Sequence, residues 1–221
     1  GTNSAVNMAN STGTMNDVTV TDNDGFGILG IYSEMDISGA SIARNSCAGI
    51  TNFGDGSSGH LSVDDSDFSE PTYQNNGIWS SVVGYQALTT SVTNSRFVDG
   101  ASVIEYLREE YPSTDGGSVT EYVYTNRMGN DIQFYGGTEN LVDGNSFVGG
   151  AQGVLVSEGS ATIQNNYWSD YSVFGAYFLS GLGTSTFSNN TFEDSAGNIL
   201  GCSMSDVDAS ENTVDRTITA S

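Results

Sequence analysis

Between Ala101 and Asn130 the chain gathers Glu105, Arg108, Glu109, Glu110, Asp115, Glu121 and Arg127, interleaved with Tyr106, Tyr111, Tyr122 and Tyr124. Carboxylates, phenols and guanidinium groups at this density can supply a general base, a proton donor and a positive charge to neutralise an anion. Arg108, Glu109, Tyr111 and Arg127 are the candidate catalytic set. The same composition also describes a solvated loop whose arginines are neutralised by their acidic neighbours. A second cluster, Asp64, Asp65 and Asp67, lies near the single histidine, His60. In phase with the repeat described below, Asp65 and Asp67 face outward while Asp64 approaches a turn, so the three do not obviously converge. Asp22-Asn23-Asp24-Gly25 imitates the opening of a Ca²⁺ loop, but Phe26 takes the next ligand position and Ser33 stands where a bidentate Glu belongs. Asp22, Asp24, Asp64, Asp65 and Asp67 are the candidate ligands for a metal, with Glu70 beside the second cluster and Asp206, Asp208 and Glu211 a further loose set at a turn. The expected cofactor is none, with Ca²⁺ the one ion to consider.

The elements that must carry these residues announce themselves by repetition. An apolar residue, four mostly polar ones, usually with Asn or Ser at the third and fourth places of the phrase, and then an aromatic recur in Val63–Phe68, Val92–Phe97, Val142–Phe147, Ile163–Trp168 and Phe187–Phe192. Looser copies run from Met15 to Val20, Ile42 to Cys47 and Ala209 to Val214. One step, from Phe97 to Phe147, is 50 residues long, and Val119–Tyr124 is the candidate for a coil hidden within it. A second run follows each phrase, usually opened by Gly: Gly27–Gly30, Gly49–Phe53, Gly77–Ser80, Gly153–Val156 and Gly175–Phe178, with Asp131–Phe134 and Asn198–Gly201 opened by a polar residue. These runs are short, β-branched and alternating, as strands with one buried face are. A repeat of twenty-odd residues that cannot bury its apolar face alone implies stacked coils. The expectation is an all-β solenoid of about nine coils.

On these phrases the chain resembles the right-handed parallel β-helix of the pectin-lyase-like superfamily, over residues 15 to 214. Asn45, Asn145, Asn166, Asn190 and Asn212 look like the internal Asn ladder of that family. The resemblance implies a single-stranded right-handed parallel β-helix. It leaves activity open, because lyases, hydrolases, epimerases, spikes and adhesins share the coil. If the chain were a lyase or epimerase of uronate-containing glycans, Arg108 or Arg127 with Tyr111 or Tyr124 and Glu109 would take the roles of charge neutraliser, proton donor and base.

The whole of 1–221 reads as one β-helical domain, a fragment of a longer chain, with 101–130 its irregular, loop-bearing coil. There are 27 acidic residues against five basic ones, a formal charge of −22. Nucleic acid and anionic membranes are poor partners for such a surface, and no nucleic-acid binding or membrane insertion is expected. The absence of Lys and the abundance of Ser, Thr, Asn and Gly point to an extracellular or cell-surface location. Asn10 and Asn189 open glycosylation sequons. Cys47 and Cys202 fall several coils apart, too far for a bridge, and each is expected to be a buried thiol.

Counting the first apolar residue of each Gly-opened strand as inward places Leu29, Thr51, Trp79, Gln133, Leu155, Tyr177 and Leu200 in one outward column. Such a stripe packs against sugar rings, another rod, or the insertion of this same chain. Two functions stay open at this level. One is an extracellular structural or adhesive module whose partners are like coils, other surface proteins or polysaccharide. The other is a polysaccharide lyase or epimerase.

Overall fold

The computed structural model describes residues 4–69, 80–98, 107–112, 118–123, 130–181, 183–193, 198–203 and 206–215. The chain winds into a three-sided solenoid. On one rung the first face is Phe26–Ile31, the second Glu34–Ser38 and the third Ser41–Ala43, and the next rung repeats them as Ala48–Phe53, His60–Asp64 and Asp67–Ser69. Every pairing between rungs is parallel. On the later rungs single strands, Ser146–Ser157 and Tyr167–Leu179, bend round the corner from third face to first. The second face stacks eight strands. Seven turns therefore join eight rungs, about 34 Å of rod at the strand spacing of about 4.8 Å.

The ninth coil expected within the long step is not a rung. Val92 pairs with Val142 and Phe97 with Phe147, so the rungs on either side of the insertion touch directly. Inside the insertion, Leu107–Pro112 and Ser118–Val123 pair antiparallel with each other. The phrase at Val119–Tyr124 matched because any strand alternates in this way.

The core is a column of rings. Phe68, Phe97, Phe147, Trp168 and Phe192 stack face to face with centroids 4.7, 4.9, 4.8 and 4.8 Å apart. That spacing equals the strand spacing, so each ring sits on the one below. Above Phe68 the column continues through Ile42 to Val20. The phrase of the second rung is therefore Ile37–Ile42, five residues earlier than the sequence suggested. Cys47 is not in the aromatic column. It is exposed, as is Cys202, and both thiols are free.

The corner between second and third faces is closed by a side-chain ladder. Asn145, Asn166, Asn190 and Asn212 each accept, through Oδ1, a backbone N–H from the rung before, at 2.9 to 3.0 Å. Each also donates from Nδ2 to a carbonyl of that earlier rung. Ser66 and Ser95 hold the same place with their hydroxyls. The left-handed residue at this corner is the one preceding the ladder position, as at Asp65, Asn94, Gly144, Asn165 and Asn189. Asn45 is not part of the ladder. It lies on the corner between third and first faces and accepts from Asn23 Nδ2 at 2.6 Å.

Candidate functional site

The insertion leaves the rod after the third-face strand Arg96–Val98 and returns at the first-face strand Asn130–Tyr135, and the outward side of the first face is not simply solvated. Ile28, Ile50, Val82, Ile132, Val154 and Ala176 are fully buried in the interior. Their neighbours form the outward column Leu29, Thr51, Val83, Gln133, Leu155, Tyr177 and Gly201. Val83 thus stands where Trp79 was expected, and Trp79 lies outside the described residues. Leu200 pairs with Ala176 and belongs to the inward column, with Gly201 in the stripe. Leu200 is displaced by one residue because Asn198 pairs with Phe174 rather than with Gly175, and Trp79 by four because the strand begins at Ser80, in register with Ala48, so that Ser81 rather than Gly77 holds the opening place.

A parallel outward column runs Phe26, Ala48, Ser80, Asn130, Gln152 and Phe174. The two columns meet in pairs. Ser80 Oγ donates to Gln133 Oε1 at 3.2 Å, and the rings of Phe174 and Tyr177 lie 5.0 Å apart. Only Gly fits at 201 on the next rung, because a Cβ there would come within 2.8 Å of Phe174 Cε1. Gln152, Asn130 and Gln133 are each 5% exposed or less. Yet Asn130 Oδ1, Gln152 Nε2 and Thr51 Oγ1 find no hydrogen-bond partner. An unsatisfied buried polar group costs about 1–3 kcal/mol. Beside them Leu155, Phe174 and Tyr177 are half-buried. This face therefore combines orphaned amides with aromatic rings.

Directly behind it lies a residue that breaks the pattern of its column. The position opened by Gly on most rungs points inward; a Cβ on Gly49 would come 2.8 Å from Ile42 Cγ2, and one on Gly153 would come 2.5 Å from Trp168 Nε1. On the rung where the insertion returns, that position is Asp131, 2% exposed. Its Oδ2 accepts a hydrogen bond from Tyr171, which is itself buried. Tyr171 is in register with Gly150, held at φ 145°, and a Cβ on Gly150 would lie 3.3 Å from its ring. The ring meets Phe147 edge-on at 6.5 Å. Burial pushes the Asp131 carboxyl up to about 7, against the weaker lowering influence of the Tyr171 hydroxyl. Burial and the neighbouring Asp131 carry the phenol well above its usual range. A carboxylic acid poised near neutral pH is the kind of group that exchanges protons in enzymes. Reasoning from sequence missed both residues, although Asp131 was visible as a polar opener in a column of glycines.

The remaining candidates are scattered. Arg108, Glu109 and Tyr111 lie on the antiparallel pair, with Arg108 opposite Tyr122 and Glu109 opposite Glu121; Arg127 lies outside the described residues. His60 and Asp64 sit at opposite ends of one strand, about 13 Å apart, so they form no joint site. Asp64 accepts from Thr93 Oγ1 at 2.7 Å and Asn94 Nδ2 at 2.9 Å, and these bonds lower its carboxyl below the usual range. Asp22 pairs with Arg44 at 2.7 Å, and Asp65 and Asp67 flank the Ser66 ladder position. Among the described residues no three His, Cys, Asp or Glu side chains are grouped to hold a metal. Asn10 and Asn189 are exposed. No helix among the described residues is long and apolar enough to cross a membrane.

A family model described as right handed beta helix region matches residues 113–220. Two solved structures share the fold. One is a double mutant of the periplasmic alginate epimerase AlgG, with a TM-score of 0.57 and 14% identity over 93% of this chain and 51% of that one. The other is the periplasmic alginate epimerase AlgG, at 0.50 and 15% over 95% and 49%. The chain thus spans about half the length of those neighbours. No curated protein matches the sequence. At such identities the likeness speaks for the fold, and it agrees with the registered rungs: the chain folds as a right-handed parallel β-helix.

Proposed function

We infer that this β-helix is a polysaccharide-contacting module that works outside the cytoplasm, with the outward side of its first face as the contact surface. The observation that carries this reading is the pairing of orphaned amides, Asn130 and Gln152, with the half-exposed rings of Phe174 and Tyr177. Sugar C–H faces pack on the half-exposed rings, and sugar hydroxyls satisfy the amides once this face opens to admit them, since Asn130 and Gln152 are 5% exposed or less. A location outside the cytoplasm suits both the acidic, Lys-free surface and the periplasmic neighbours. The test is calorimetric titration with neutral and uronate-containing polysaccharides. Gln152→Leu removes an orphaned donor, so it should raise Tm while weakening glycan affinity about tenfold, near 1.4 kcal/mol. Unchanged affinity in Gln152→Leu and Tyr177→Ala would sink the reading.

A second reading, uronate lyase or epimerase, is favoured by the fold shared with alginate epimerase and by Asp131, whose carboxyl stands at about 7 beside the returning insertion. It requires the buried pair to be reached by substrate. Unsaturated or epimerised products that vanish with Arg108→Ala or Arg127→Ala would establish it.

A further inference from the structure

The corner between first and second faces holds a separate recess. On one rung this corner is turned by two residues, Tyr32 and Ser33, but between Phe53 and His60 it takes six, 54–59. That longer turn is rigidly built. Asp55 Oδ1 accepts from Ser57 N at 2.9 Å, Ser57 Oγ at 2.8 Å and Ser58 Oγ at 2.9 Å. Leu88 N donates to the carbonyls of Ser58 and Gly59 at 3.1 and 2.9 Å, tying the turn to the next rung.

The turn forms one rim of an open groove of about 490 Å³, within the size range of small-ligand sites. Two of the most exposed large apolar side chains among the described residues, Tyr32 at 47% and Leu88 at 42%, line it. Its floor is a registered polar column: Glu34 pairs with His60 and His60 with Thr89. These groups are oriented by their neighbours. Thr12 Oγ1 donates to Glu34 Oε2 at 3.0 Å, and His60 Nδ1 contacts Thr89 Oγ1. The second oxygen of Glu34 and Nε2 of His60 remain for a ligand. No basic side chain other than His60 lines the groove, and a chain of charge −22 disfavours anions.

We propose that this corner groove binds one ring of an uncharged sugar, with Tyr32 and Leu88 against its C–H faces and Glu34, His60 and Thr89 bonding its hydroxyls. The site is distinct from the first face and does not depend on it.

His60 is the only histidine, so its ring C–H resonances report on the groove without ambiguity. Neutral oligosaccharides built of glucose, xylose, galactose or mannose, and an alginate oligosaccharide, are titrated against the full chain. At least one neutral oligosaccharide should move the His60 signals saturably. Tyr32→Asn should weaken that binding at least tenfold; Asn tolerates the left-handed backbone at φ 51°, so the ring is removed without straining the turn. Thr89→Val should weaken it as well, and Gln152→Leu should leave it unchanged. No shift with any neutral sugar, or a shift that survives in Tyr32→Asn, overturns the proposal. A stronger response to alginate overturns the neutral-sugar assignment. Loss of glycan binding in Gln152→Leu with His60 shifts intact would leave both sites standing, whereas first-face binding that fails while the His60 response persists would remove only the earlier reading.

Discussion

Asp131→Asn offers the sharpest handle on the interior of this solenoid. The Asp131 carboxyl stands at about 7 in the folded chain against an ordinary value of 3.8. The folded state therefore holds this proton more tightly than the unfolded one. Below pH 4 the acid is neutral in both states and costs nothing extra. As pH rises from about 4 to about 7 the unfolded chain gives up its proton first, and stability falls by up to about 1.4 kcal/mol per unit, some 4 kcal/mol in all. The Tyr171 phenol, raised well above its usual range, stays neutral throughout this window. Asp22, Asp55 and Asp64 are shifted the other way; they lose their contribution only as pH drops below the ordinary carboxylate range, and they are the same in both proteins. Replacing the carboxyl by an amide keeps an acceptor for the Tyr171 hydroxyl and removes the titration. Urea unfolding of wild type and Asp131→Asn at pH 4, 5.5, 7 and 8.5 should show the variant gaining about 4 kcal/mol relative to wild type between the lowest and highest pH. Parallel stability curves would refute the reasoning, because they would mean that the acid is solvated in the folded protein.

Asn166→Ala should cost about 3 kcal/mol in the same assay, since Asn166 Oδ1 accepts from Asn145 N and Nδ2 while its Nδ2 donates to Val142 O, Gln164 O and Asn190 Oδ1. Excising residues 101–128 and joining the ends with a short Gly-Ser linker should preserve the β-rich circular dichroism and a single cooperative transition, because Phe97 already stacks on Phe147; loss of cooperativity would show that the insertion completes a rung.

Much of the coil could be read from the residues alone, for a physical reason. A parallel stack places like on like, so the aromatic column and the Asn ladder appear as literal repetition at Phe68, Phe97, Phe147, Trp168 and Phe192 and at Asn145, Asn166, Asn190 and Asn212. Register was less legible wherever side chains changed type. Ile42 fills a place held by rings below it, and the eye slid five residues to Cys47. Val83 was displaced by Trp79 because Gly77-Ile78 copies the usual strand opening, whereas the strand is Ser80–Tyr85. The Asp131–Tyr171 pair was out of reach for another reason. It joins residues forty apart across an intervening rung, and two successive inward positions break the alternation that would have marked Asp131 as buried. The corner groove likewise depends on three rungs meeting, which no single phrase contains.

The seam between second and third faces is stitched unevenly along its length. Toward the C-terminus four amides each grip the preceding turn twice, by Oδ1 and by Nδ2, while toward the N-terminus Ser66 and Ser95 offer a single hydroxyl and Ala40 offers none. Hydrogen exchange at this corner should be fastest at Val18, whose N–H meets no side-chain acceptor from Ala40, and slow toward Asn190. A pull on the molecule would then unzip it directionally, peeling the early turns away while the amide-laced end holds.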